Sequence, residues 1–248
     1  MRKSLMIAVV LAFGCLAVPG QTVDELIGKY FKTIGGIEKV TAIKTIRMKG
    51  KFAGGGGFEA DLVNEAKRPG MMRQDFMLQG FTAIVAYDGK QGWKINPFGG
   101  KKDAETLGED ELKTIIEESD IDGPLVDYAK KGHKIVYVGK EDYEGSDVYK
   151  LKVTMADGTI KHYYLDTDYY VPIKVETKQF IRGAEVESES VFGDYKEVGG
   201  IYFPHSVESG PKGSSQRSTI TYTKIEINPV IDDSRFMMPK SGPAPKTN

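Results

Sequence analysis

The sequence predicts a mainly β (α+β) fold: one antiparallel sheet of about eleven strands, with helices at the start and middle of the chain. Three observations predict it. Short runs of apolar and polar residues alternate with a period of two over most of the chain. Glycine is frequent, 29 of 248 residues, against a usual share of ~7%. Aromatic strand formers are plentiful, with 13 Tyr and 11 Phe.

The first element is a helix. Thr22 and Glu25 stand at capping-box spacing. Val23, Leu26, Ile27, Tyr30, Phe31 and Ile34 follow on one helical face, and Gly35-Gly36 ends the helix. A short second helix is expected over 37–43. The period then changes to two. Ile46, Met48 and Phe52 form one strand face, and the glycines 54–57 a hairpin tip. Phe58, Ala60 and Leu62 form the next face. After the Pro69-Gly70 turn come Met72, Phe76 and Leu78. Phe81 to Tyr87 reads as a buried strand, and Trp93 with Ile95 as a further one. Four or five strands in meander order account for this block.

Residues 107–131 break the strand pattern. Leu107, Leu112, Ile115 and Ile116 lie at helical spacing among acidic residues, and Pro124 is expected to begin another helical turn carrying Leu125, Val126 and Tyr128. A helical insertion between two strand blocks is expected. Seven strands follow, over 135–138, 148–154, 160–165, 173–177, 186–195, 201–207 and 219–227. Asp157-Gly158 is a hairpin signal between two of them.

The ends read differently from the body. Met1, Arg2 and Lys3 precede an apolar run from Leu5 to Val18, and small residues follow at Pro19-Gly20. This is the layout of a secretory signal peptide over 1–20. A retained membrane anchor, or lipidation at Cys15, are the alternatives. Cleavage near Gly20 would place the remainder outside the cytoplasm and remove the chain's one cysteine, leaving a fold held by its core without disulfides. Residues 21–240 are expected to form one domain and 241–248 a loose tail.

Charge and motifs exclude several function classes. A formal net charge of -1 gives no electrostatic footprint for nucleic acid. His133, His162 and His205 have no second ligand at metal spacing, so no metal or cofactor is expected. No cysteine nucleophile and no G-x-S-x-G elbow is present, and no catalytic residue is assigned. The glycines 54–57 lie between alternating strands rather than before a helix, so they form a turn and not a phosphate loop.

What remains is apolar. Met48, Phe52, Met72, Phe76, Leu78 and Trp93 fall on alternating strand faces. They either fill an ordinary core or wall a cavity inside a sheet curved into a partial barrel. Methionine suits such a wall, because a flexible thioether adapts to varied ligands.

The order and spacing of several short pieces resemble the LolA-like family of outer-membrane lipoprotein-sorting proteins. These pieces are Gly35-Gly36 leading to Ile43-Lys44-Thr45, Tyr87-Asp88-Gly89 with Gly92-Trp93 and Pro97, and Gly145 before Tyr149-Lys150-Leu151-Lys152-Val153. Asp157-Gly158, Tyr164-Leu165-Asp166, Asp194-Tyr195 before Gly199-Gly200, Phe203-Pro204, and Ile227-Asn228 with Phe236 and Pro239 complete the set. The resemblance implies a curved, incomplete β-barrel with helices as a lid over a hydrophobic cavity for acyl chains. It implies no catalytic residues. The lid falls on Leu112, Ile115, Ile116 and Leu125. The function so implied is that of a periplasmic carrier of lipids or lipoprotein acyl chains toward the outer membrane. Its partners would be inner- and outer-membrane donor and acceptor proteins, and the carrier itself is read as a monomer. A lipid or lipoprotein sensor acting through a protein partner is a second reading, and an envelope-polymer hydrolase a third.

Overall fold

The computed structural model describes residues 21–240. The expected signal peptide, Cys15 and the tail 241–248 lie outside the described residues. The chain opens with α1 (Val23–Thr33). Thr22 accepts from the Glu25 amide, and Glu25 accepts from the Thr22 amide at 2.9 Å, so the expected capping box is complete. Gly35 follows with φ +118, and a Cβ there would stand 2.0 Å from the Gly200 carbonyl oxygen. Only glycine allows both that backbone conformation and that approach. The second helix, α2, is shorter than expected, Ile37–Thr41.

Among the described residues, thirteen strands form a single antiparallel sheet that does not close. The first block is a meander of β1 (Thr45–Ala53), β2 (Glu59–Lys67), β3 (Met71–Leu78), β4 (Phe81–Tyr87), β5 (Gly92–Asn96) and β6 (Lys101–Thr106). The second runs through β7 (Lys134–Tyr143), β8 (Ser146–Thr154), β9 (Ile160–Asp166), β10 (Pro172–Ile181), β11 (Ala184–Val198), β12 (Ile201–Pro211) and β13 (Ser218–Ile227). Pairing of β1 with β13 joins the blocks at the middle of the sheet, and leaves β6 and β7 as its edges. Sequence reasoning expected about eleven strands. The first block has one more than expected, because β6, Lys-Lys-Asp-Ala-Glu-Thr, carries no apolar alternation. Charged residues are what an edge strand tolerates and uses against unwanted pairing.

The segment between the edges contains α3 (Glu109–Glu118). The helical insertion is therefore real but ends at Glu118. Beyond it, 119–133 is a chain of turns rather than a second helix. Asp122 receives Arg68 through both carboxylate oxygens, at 2.6 and 2.5 Å, which fixes this segment to the turn after β2.

Two apolar layers cover the sheet. On the inner face, Leu26, Ile27 and Phe31 of α1 and Val40 of α2 pack with Leu125, Val126, Leu151, Val153 and Leu165. On the opposite face, a smaller cluster of Ile84, Ala86, Trp93 and Ile95 lies beneath the C-terminal segment. A charged network beside it holds that segment down. Arg235 reaches Glu65 at 2.8 Å and Asp75 at 3.0 Å, while Arg47 and Arg73 bind the same two carboxylates. Glu65 is only 3% exposed and is satisfied by two guanidinium groups.

Candidate functional site: a lidded cavity

The inner face of the sheet encloses a cavity of about 620 Å³, within the ~300–1,000 Å³ of small-molecule sites. Its register explains its wall. Ile46 and Met48 of β1 stand opposite Ala66 and Asn64 of β2, which stand opposite Met72 and Gln74 of β3. Residues directly opposite on antiparallel strands project from the same face. All six line the cavity. Phe192, Val175 and Tyr163, on β11, β10 and β9, supply the far wall, and Tyr30 and Phe31 of α1 with Ile34 just after it close one side. The remaining side is Glu118, Asp120, Ile121 and Asp122, from the end of α3 and the turn after it.

The sequence-predicted site residues separate into three groups. Met48 and Met72 line the cavity. Phe52, Phe76 and Leu78 share its face of the sheet but stand further along it. There Phe52 and Phe76 pack edge to face at 5.3 Å, and Phe58 and Phe98 extend the cluster to the surface. Trp93 is on the opposite face, 1% exposed, and its Nε1 donates to the Phe236 carbonyl at 2.7 Å. Its neighbour Gly92 faces inward instead. A Cβ on Gly92 would stand 2.9 Å from Leu112 Cδ1, so α3 lies directly on β5.

The residues expected as a lid pack elsewhere. Leu112 packs on Gly92, Ile115 is buried, Ile116 is 45% exposed, and Leu125 belongs to the core beneath α1. None of the four lines the cavity. Leu125 instead borders a second, outer groove of about 710 Å³, bounded by Ile27, Phe31 and Ile37 on the helices and by Val126 and Tyr128.

Sequence reasoning missed the cavity's polar residues. Gln74 Nε2 donates to Asn64 Oδ1 at 3.0 Å, and Asn64 Nδ2 donates to Tyr222 Oη at 3.2 Å. Glu118 lines the cavity with its side chain exposed to solvent. Desolvation pushes its carboxyl up to about 7; the Glu117 charge adds to this and Lys161 opposes it. Burial likewise raises the Tyr30 phenol to about 12 and pushes Tyr163 and Tyr195 up. These phenols stay neutral at any physiological pH. A polar residue on an alternating strand ordinarily marks a wet face, so only the assembled sheet places Asn64 and Gln74 inside.

The histidines are apart. His133 Nδ1 accepts from the Ala156 amide, and His205 Nδ1 is bonded to the Phe203 carbonyl. Among the described residues no group of three or more His, Cys, Asp or Glu could hold a metal ion.

The described residues thus form an open antiparallel sheet around a cavity, with helices against one face. Solved structures share it. One is a LolA superfamily protein from Nitrosomonas europaea, with a TM-score of 0.59 and 12% identity over 88% of this chain and 98% of that one. Another is a DUF1329 family protein from Desulfovibrio piger, at 0.61 and 13% over 87% and 97%. A third is described as an outer membrane lipoprotein-sorting protein domain from Vibrio parahaemolyticus, at 0.56 and 12% over 80% and 93%. The chain has the LolA-like fold. No family model and no curated protein matches its sequence.

Proposed function

We infer that this protein is an exported carrier that binds acyl chains, of lipids or of lipoproteins, in the inner cavity and moves them toward the outer membrane. The observation that supports it best is the cavity itself: apolar side chains from α1 and from strands of both blocks converge on it. Each methylene taken from water into such a site contributes about 0.8 kcal/mol, which is why an acyl chain requires a container to cross an aqueous space. Met48, Met72 and Ile46 form the adaptable wall. The end of α3 with the turn 119–123 is the lid whose movement admits and releases cargo. The likeness to a lipoprotein-sorting domain supports this reading through the fold alone. In this reading the protein acts as a monomer in the periplasm, meeting a donor at the inner membrane and an acceptor at the outer one.

Native mass spectrometry of protein purified from periplasm without harsh detergent, followed by lipid extraction, tests it. A stoichiometric acyl species is expected. Empty protein that also refuses a fluorescent fatty-acyl ligand would overturn the reading.

A further inference from the structure

The cavity's polar groups have no use for a bare acyl chain. The Gln74–Asn64–Tyr222 relay crosses its sheet wall. Among the described residues, the Gln74 carbonyl oxygen and the Tyr222 hydroxyl proton have no protein partner. Glu118 borders the same space from the lid, and its charge acts on Tyr222. Among the described residues it forms no ion pair or hydrogen bond, since Lys161 is held by Glu117 at 2.5 Å. The other lid carboxylates are also matched, Asp120 with Lys131 and Asp122 with Arg68. Nor does Glu118 serve its helix. The last turn of α3 has no basic residue, and a negative charge at a helix C-terminus opposes the dipole.

Resting on the lipid-binding reading above, we propose that the cavity takes its amphiphile head inward and selects an uncharged, hydrogen-bonding head, of the glyceride hydroxyl class, held between Glu118 and the Gln74–Asn64–Tyr222 relay. Such a head donates to Glu118 and to the Gln74 carbonyl and accepts from Tyr222, so that each group buried by the ligand is paired. A carboxylate or phosphate head meets Glu118 instead, and finds Lys161 already neutralised. Rejection therefore comes from a like charge placed in the site. The acyl tail then follows the apolar wall past Met48 toward Phe52.

The test compares 1-monolaurin with laurate as competitors of a fluorescent fatty-acyl ligand, on the purified full-length mature protein at about pH 8. Monolaurin is expected to bind about ten-fold or more tightly than laurate, as one like-charge contact of ~1.4 kcal/mol would give. In Glu118→Gln the ratio falls several-fold because laurate gains. In Gln74→Leu it falls because monolaurin loses. At about pH 5.5 the ratio narrows more in the unmodified protein than in Glu118→Gln, because laurate protonates in both and Glu118 in only one. Equal affinities at pH 8, or a ratio unchanged in Glu118→Gln, would overturn the proposal while leaving lipid binding intact. Failure of every amphiphile to bind would overturn the lipid-binding reading and the proposal with it.

Discussion

Trp93 and Phe236, 143 residues apart, are joined by a buried hydrogen bond on the face of the sheet that turns away from the cavity. Both side chains are essentially inaccessible. The bond, with the Arg235 network beside it, fastens the C-terminal segment over β4 and β5 and gives this end of the sheet a second apolar layer.

Trp93→Phe keeps the ring but leaves the Phe236 carbonyl without its donor. A loss of about 1–3 kcal/mol in unfolding free energy is expected, read from urea denaturation. Affinity for a fluorescent acyl ligand should not move, because the cavity is on the other face. A loss of affinity without a loss of stability would show that Trp93 serves the cavity after all.

Gly35→Ala tests the helix-to-sheet contact. The new Cβ would collide with the Gly200 carbonyl and would have to adopt φ +118. A cost of about 1–3 kcal/mol is expected for the backbone conformation alone, with the collision adding to it. An unchanged melting temperature would mean that α1 does not seat on the β11–β12 turn as described.

Met48→Glu places a carboxylate in the wall of the cavity, opposite Asn64. The position is only half-buried, so the fold should persist. Acyl-ligand affinity should fall at least about ten-fold, since an unpaired charge in an apolar site costs ~1.4 kcal/mol or more. Circular dichroism verifies the fold in the same samples. Retained affinity would move the binding site elsewhere.

The raised carboxyl of Glu118 makes stability depend on pH in an identifiable window. Its folded value of about 7 lies above the usual 4.5, so the folded state holds the proton more tightly. Its favourable contribution is full below about 4.5 and is lost as pH rises through 7. Glu176 works in the opposite sense. Lysines 174 and 212 overcome its burial and lower it to about 2, so its contribution is lost only as pH falls below 4.5. Unfolding free energy of the unmodified protein relative to Glu118→Gln should therefore decline between pH 5 and pH 8. A flat difference across that range would contradict the placement of Glu118.

The sheet was legible in the sequence because period-two alternation states which residues share a face. That rule puts Met48 and Met72 on one face, and the strand register does the same. It does not say which face is inward, and β5 shows why. In Gly-Trp-Lys-Ile-Asn the apolar pair is Trp93 and Ile95, which reads as the core side, yet a second layer from the C-terminal segment covers it on the outside. β4 reads as buried throughout, yet it buries only Ile84 and Ala86, on the face under the C-terminal segment, and leaves Phe81 exposed. Helical spacing located α3, but its apolar residues anchor the helix, and the residues that reach the cavity are the polar ones at its end. Asn64, Gln74 and Glu118 became visible only when the fold brought three separate elements around one space.

The most direct test of the account is to find where an acyl chain sits. A fatty-acyl ligand bearing a photoreactive diazirine in its chain is bound to the purified protein, irradiated, and its adducts mapped by peptide mass spectrometry. Labelling at Ile46, Met48 and Met72 is the predicted result. Labelling confined to the outer groove of Ile27, Ile37, Val126 and Tyr128, or no saturable labelling at all, would contradict it.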